Sequence, residues 1–257
     1  MPRGAIVTIY KPLGLTPLAA LDLWRARHPE WPGVSMTYTG RLDPMAEGVV
    51  VVLIGEALKQ QAQFQKQDKV YQATVLFGAE TDTYDVLGIP SRLVDTKSLD
   101  LAKIKSELFK LEHGFKFKLP PYSSYKVRGK PLFWWALMNR LSEVEIPERT
   151  VKIYKVEYLN HNCLTNDEFR RKLAEKLDLV RGNFRQRQIK GEWQKLTASR
   201  PRFKYQTVTF RLHCQGGTYI RAVAKHLGDK FGCGAILWNL TRERVGDYNI
   251  SQAEKVA

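Results

Sequence analysis

Residues 37–59 read TYTGRLDPMAEGVVVVLIGEALK. From Val49 to Ile54 every position is apolar, where a strand with one wet face would alternate, so the run is expected to be a central strand covered on both faces. Just ahead of it Gly40 and Pro44 bracket a single carboxylate, Asp43, which places a charge on a constrained loop at the edge of the core. A carboxylate there either caps a turn through neighbouring N–H groups or serves chemistry, and the stretch alone leaves both open.

Outward from this strand the chain reads as strands with helices interspersed. AIVTIYK (5–11) is an expected strand, and Thr16-Pro17 opens a helix whose apolar face is Leu18, Leu21 and Trp24. VYQATVLFG (70–78) alternates Tyr71, Ala73, Val75 and Phe77 on one face, and TDTYDVLG (81–88) is its loop. Ser98 opens a helix with the stripe Leu101, Ile104, Leu108 and Leu111, closed by Gly114. VKIYKVEYL (151–159) and QTVTFRLHCQ (206–215) are further strands, and a last helix runs from about Thr218 to Gly232 with Ile220, Val223, Ala224, Leu227 and Phe231 inward. Helices that do not alternate strictly with strands predict an α+β fold with a mixed, mostly antiparallel sheet.

The 257 residues suffice for one sizeable core, and 41 Lys and Arg against 26 Asp and Glu give a net charge of +15, which favours a polyanionic partner. No run approaches the apolar length of a spanning helix and the start MPRGAIVTIYKPLG lacks a signal-peptide core, so no membrane role and a cytoplasmic location are expected. Cys163, Cys214 and Cys233 form no CxxC pair, and no Gly-rich phosphate loop, HExxH or nucleophile elbow occurs, so neither metal nor cofactor is expected. Between Phe169 and Lys204 twelve basic residues stand against three acidic ones, with Phe184, Trp193 and Phe203 interleaved. The segment, about 165–205, reads as an insertion. It is either a solvated helical hairpin or a nucleic-acid contact combining phosphate charges with base stacking.

Further stretches bear on Asp43: IYKPLGLT with Lys11, KVYQATVLFGAETDTYDVLG with Tyr71 and Asp85, LPPYSSYKVRGKPL, GGTYIRAVAKHLGDKFGCGA with Tyr219 and Arg221, and AILWNLTRERVG with Leu240. In this order and spacing, from about Ile9 to Tyr248, the chain resembles the pseudouridine synthases of the bacterial B-type family, which act on transfer RNA. The resemblance implies the pseudouridine synthase fold and a cofactor-free, metal-free isomerisation that detaches uracil from C1′ of ribose and reattaches it through C5. It makes Asp43 the catalytic aspartate, Arg221 its ion-pair partner, and Tyr71 the residue that stacks on uracil and takes the C5 proton. Tyr219 and Leu240 would line the pocket, Lys11 would support the active-site loop, and Asp85 would order a loop facing the substrate. Residues of about 123–150 would form a thumb closing on the T arm, with Lys126, Arg128 and Lys130 on phosphates and two of Phe133, Trp134 and Trp135 in the core.

Three positions depart from the family pattern. Tyr38 stands where the family has a histidine that helps open the RNA stack, Arg41 replaces a small residue, and Gly216 replaces a lysine. Tyr38 would then act by stacking, and Arg41 makes the loop closer to that of synthases acting on ribosomal RNA. The expectation is a single catalytic domain over 1–257, monomeric, with no room for the family's C-terminal RNA-binding domain and the insertion partly replacing it. Two other readings stay open: a non-catalytic RNA-binding or RNA-folding protein on the same scaffold, and an N-glycosidase using the same carboxylate.

Overall fold

A computed structural model describes residues 4–256; the first three residues of the start read above, and Ala257, lie outside it. The described residues build a nine-stranded sheet from β1 (Gly4–Lys11), β2 (Met36–Thr39), β3 (Glu47–Gly55), β4 (Lys69–Phe77), β5 (Ile153–Thr165), β6 (Lys204–Cys214), β7 (Ala235–Val245), β8 (Tyr248–Asn249) and β9 (Glu254–Lys255). The spatial order is β5-β6-β4-β7-β3-β1-β9, with β2 paired to β3 and β8 to β7. Only β1–β9 and β3–β7 run parallel, so the sheet is mixed and mostly antiparallel, as expected.

β3 is buried from Gly48 to Ile54, and its alternation divides two cores. Val50, Val52 and Ile54 face the main core with Ala73, Val75, Phe77 and Phe210, while Val49, Val51 and Leu53 face a smaller one with Phe64 and Val245. Each fully buried valine stabilises the fold by roughly 1.5–3 kcal/mol, which is why such a run is read as central. The main core is closed by α1 (Pro17–Ala26), α3 (Leu101–Lys110), the short α4 (Leu132–Leu137) and α7 (Ile220–Lys230), and the smaller one by the short α2 (Gln61–Lys66). No helix among the described residues is long and apolar enough to cross a membrane.

Two helical expectations need adjusting. In α1 the Thr16 hydroxyl accepts from the Ala19 amide as a cap should, but Leu18 points to solvent and the buried face is Pro17, Ala20, Leu21 and Trp24. Positions 18, 21 and 24 drift around a 3.6-residue helix, whereas 17, 20, 21 and 24 stay on one stripe. α3 starts after Asp100, two residues beyond Ser98, because the Asp100 carboxylate accepts from both the Ala102 and Lys103 amides. β7, which carries Leu240 and lies between β4 and β3, has no clean alternation in sequence, and an arginine occupies one of its buried positions.

The insertion is not a solvated hairpin. Its helices α5 (Asn166–Leu179) and α6 (Gln186–Ala198) bury Phe169, Leu173, Leu177, Ile189 and Trp193 in a second core with Leu76, Tyr205, Ile236 and Trp238. Trp193 lies against Phe169 at 5.3 Å and is buried with it, while Phe184 and Phe203 pack at the same core's edge and stay partly exposed, so of the three aromatics Trp193 serves packing. The C-terminal end of α5 meets the β1–α1 turn at Gly14, whose φ is +89° and where a Cβ would come within 2.1 Å of the Leu179 carbonyl oxygen. Gly14→Ala is therefore expected to lower the unfolding free energy by more than about 2 kcal/mol, combining a left-handed backbone penalty with a backbone clash, as read from a urea titration.

Candidate active site

The loop from β2 to β3 is a tight turn in which the Ala46 amide donates to the Asp43 carbonyl at 3.0 Å, and the Gly14 amide donates to the Pro44 carbonyl at 2.8 Å. The Asp43 carboxylate is engaged elsewhere. Arg221, in the first turn of α7 after Tyr219 at the N-cap, donates from Nε to Oδ2 at 2.7 Å and from Nη2 to Oδ1 at 3.3 Å. Two more of its five donors are used: Nη1 donates to the Thr83 carbonyl at 2.8 Å and Nη2 to the Tyr122 carbonyl at 3.1 Å. The Arg221 side chain is 5% exposed and that of Asp43 39%, so this is not a surface ion pair. A buried, planar fork held by two loops fixes the carboxylate and leaves it facing the open side.

Asp85 stands behind the pair, with Oδ2 3.8 Å from Arg221 Nε. Its Oδ1 accepts from the Thr83 hydroxyl at 2.6 Å and the Leu87 amide at 3.0 Å, so it organises the 81–88 loop from inside rather than facing outward. Burial pushes its carboxyl up to about 6, against the pull of Arg221. Tyr71 on β4 lies in the main core, where burial raises its phenol pKa and the neighbouring Arg242 opposes that rise. Leu240 is buried on β7, and Tyr219 is half-buried, with its phenol pKa also raised by burial.

Lys11, at the end of β1, is fully buried, and its Nζ donates to the Pro12 and Leu15 carbonyls at 3.0 and 2.8 Å. It thereby ties the turn that carries Gly14, the residue bonded to Pro44. Tyr38 is half-buried on β2 against the main core, and Arg41 is exposed. Lys126, Arg128 and Lys130 are exposed on a small hairpin (Lys126–Val127 with Lys130–Pro131), and beneath it Trp134 and Trp135 pack on the main core while Phe133 is exposed.

Sequence reasoning missed Arg242. It is fully buried opposite Tyr71 in the β4–β7 register, donates from Nε to the Val49 carbonyl at 2.7 Å and from Nη1 to the Arg41 carbonyl at 3.3 Å, and has no carboxylate within 4.0 Å among the described residues. It thus holds the loop two residues before Asp43. The available signal was an arginine at a position that would face inward once AILWNLTRERV is read as a strand. Thr83 and Tyr122 were missed because they act through backbone carbonyls, which no side-chain pattern reports. Among the described residues no three of His, Cys, Asp and Glu come together as a metal ion would require.

The buried lysines make stability depend on pH. Burial pushes Lys11 down to about 7, with Asp43 opposing, and Lys69 down to about 8. Both lie below the unfolded value of about 10.4, so between pH 7 and 9.5 the unfolded chain binds more protons and folding becomes more favourable as pH rises. The urea midpoint is expected to increase from pH 7 to 9.5, and to increase less in Lys69→Met.

The family model described as TruB family pseudouridylate synthase (N terminal domain) matches residues 34–176. The tRNA pseudouridine synthase B of Endomicrobium trichonymphae is 30% identical over 250 residues, covering 96% of this chain and 87% of that one. That of Clostridium kluyveri is 27% identical over 250 residues, covering 96% and 69%. Among solved structures, a Cbf5-Nop10-Gar1 complex superposes with a TM-score of 0.57 at 19% identity over 96% of this chain and 50% of that one. An H/ACA RNP bound to a substrate RNA containing 2′-deoxyuridine gives 0.57 at 18%, over 99% and 51%. The chain thus spans about half the length of these solved chains, and at such identities the likeness establishes the fold. That fold is the pseudouridine synthase fold. Within it, the chain belongs to the TruB family of pseudouridylate synthases.

Proposed function

We propose that this protein converts uridine to pseudouridine in structured RNA, at the T-loop uridine of transfer RNA, in the cytoplasm and as a monomer. The observation that carries the reading is the Arg221 fork, which fixes the partly exposed Asp43 carboxylate near Tyr71. The relatives named tRNA pseudouridine synthase B support transfer RNA as the substrate.

The chemistry follows from these groups. The C1′–N1 bond breaks, C5 of the turned uracil bonds to C1′, the C5 proton leaves and N1 gains one, so atoms balance without oxidant or reductant. Positive charge that builds on the sugar as the glycosidic bond opens is met by Asp43, by attack on C1′ or by taking the 2′ proton. Tyr71 stacks on the displaced base and relays the proton, its phenol oxygen taking the C5 proton as its own proton passes on toward N1, and Leu240 and Tyr219 exclude water, which would otherwise release free uracil. Extracting the base from its stack costs a few kcal/mol. Phosphate contacts from Lys126, Arg128 and Lys130 offset that cost, and Tyr38 and Arg41 border the vacated stack.

The test is incubation with unmodified transfer RNA carrying tritium at C5 of uridine. Tritium release with the product mapped to the T loop is expected. Free uracil would mark a glycosidase, and tight RNA binding with no release would mark a non-catalytic binder; either result overturns the proposal.

A further inference from the structure

The family resemblance gives the insertion no role, yet the structure connects it to the catalytic loops at two points. On one side the Arg181 amide donates to the Gly14 carbonyl at 2.9 Å, and the Gly14 amide donates to Pro44, the residue after Asp43. On the other, Arg185 donates to the Asp82 carboxylate at 2.8 Å and stacks over the Tyr122 ring at 4.6 Å. Asp82 adjoins Thr83, and the Thr83 and Tyr122 carbonyls are the two that hold Arg221. The loop joining α5 to α6 therefore abuts the two loops that hold Arg221 and touches the root of the expected thumb segment.

Beside that loop, at the head of α6, is an open groove of about 600 Å³ lined by Asn183, Arg185, Gln186, Arg187, Gln188 and Lys195, with Glu192 paired to Lys195 at 2.9 Å. Arg187 is exposed and has no carboxylate within 4.0 Å among the described residues, and none of the lining residues is a large exposed apolar side chain. Amides and cations without apolar surface match phosphate oxygens and ribose hydroxyls, whereas a protein partner would need an apolar centre. Phe169 and Trp193 are buried in the second core and present no face to a base, so the contribution argued for this region is ionic and hydrogen-bonding.

We infer that the inserted hairpin is a second wall of the RNA cleft, and that the groove at the head of α6 carries the phosphodiester backbone leading to the target nucleotide. The inference rests on the proposed action on RNA and assigns it a contact surface. The second core, through Ile189 and Trp193, fixes the backbone of α6 from which these cations project.

The experiment measures filter binding of unmodified transfer RNA against salt for the full chain, for Arg187→Glu/Lys195→Glu, and for Arg170→Glu/Arg171→Glu, which makes the same charge change on exposed positions of α5. Thermal melting of each variant verifies folding. The groove variant is expected to bind about tenfold more weakly or worse at low salt and to lower the slope of log affinity against log salt by about 1 to 2, the loss of one or two phosphate contacts. The α5 variant should change affinity less than half as much on a logarithmic scale. Equal losses from both variants would assign the effect to net charge and overturn the groove, as would unchanged binding by the groove variant. Because the readout is binding, the two proposals fail separately: wild-type binding without tritium release removes the catalytic reading and leaves the groove, while release with unaltered groove-variant binding does the reverse.

Discussion

Asp43→Asn is expected to reduce tritium release from C5 by at least about 10⁴-fold while changing RNA affinity less than about threefold, in keeping with the loss of a group acting in the reacting unit itself. The substitution keeps shape and removes charge. The introduced amide can still accept one hydrogen bond from Arg221, and Asp85, 3.8 Å from the same guanidinium, remains as a counter-charge, so Arg221 is not left as an isolated buried cation. Stability should fall by no more than about 1–2 kcal/mol, the scale of one charge-assisted hydrogen bond. In the proposed reaction what is lost is the negative charge that meets the anomeric carbon, and Asp85, turned inward onto Thr83 and Leu87, does not replace it. Single-turnover release by the variant within tenfold of the parent would show that the carboxylate is not the reacting group.

Arg221→Met has a different signature. It deletes the fork that aims Asp43 and leaves Asp43 and Asp85 near one another with no cation between them. Breaking a buried pair on one side costs about 3–5 kcal/mol, and misaiming of the carboxylate should lower the catalytic rate by about 10²–10³-fold. The stability deficit depends on pH. Asp85 already has its carboxyl raised to about 6 by burial, and removing the arginine that lowers it raises it further. Its folded value exceeds the unfolded one near 3.9, so the folded chain binds the extra proton and stability falls as pH rises through that interval. The deficit relative to the parent should be smaller at pH 5 than at pH 8. Urea titrations with equal deficits at both values would contradict the placement of Asp85 in this cluster. Arg221→Lys keeps a charge without the fork and should lie between the two in both rate and stability.

Arg242 and Arg185 show why part of the site was not legible. Both are arginines in basic stretches, where charge suggests a solvated face. Whether such a residue is buried under the catalytic loop, as Arg242 is, or stacked on a tyrosine from another segment, as Arg185 is, depends on which strands become neighbours. The insertion makes the same point: Phe169, Leu173 and Leu177 on α5 and Ile189 and Trp193 on α6 recur at helical spacing with cations between them, and only their packing against Leu76, Ile236 and Trp238 marks these faces as buried.

From sequence alone came the central strand Val49–Ile54, the carboxylate ahead of it, the capped helix at Thr16, the α+β class, and the set of Asp43, Tyr71 and Arg221 through a family resemblance. These are properties of local periodicity, turn chemistry and motif order, which a chain carries before it folds. Tertiary structure alone decided the β5-β6-β4-β7-β3-β1-β9 order, the insertion of β7 between β4 and β3, the carbonyls of Thr83 and Tyr122 on Arg221, the burial of Lys11 and Arg242, and the contacts of the inserted hairpin with Gly14, Asp82 and Tyr122. Each of these joins residues far apart in the chain, and the partner of a backbone carbonyl or a buried cation is set by packing, not by its neighbours in sequence.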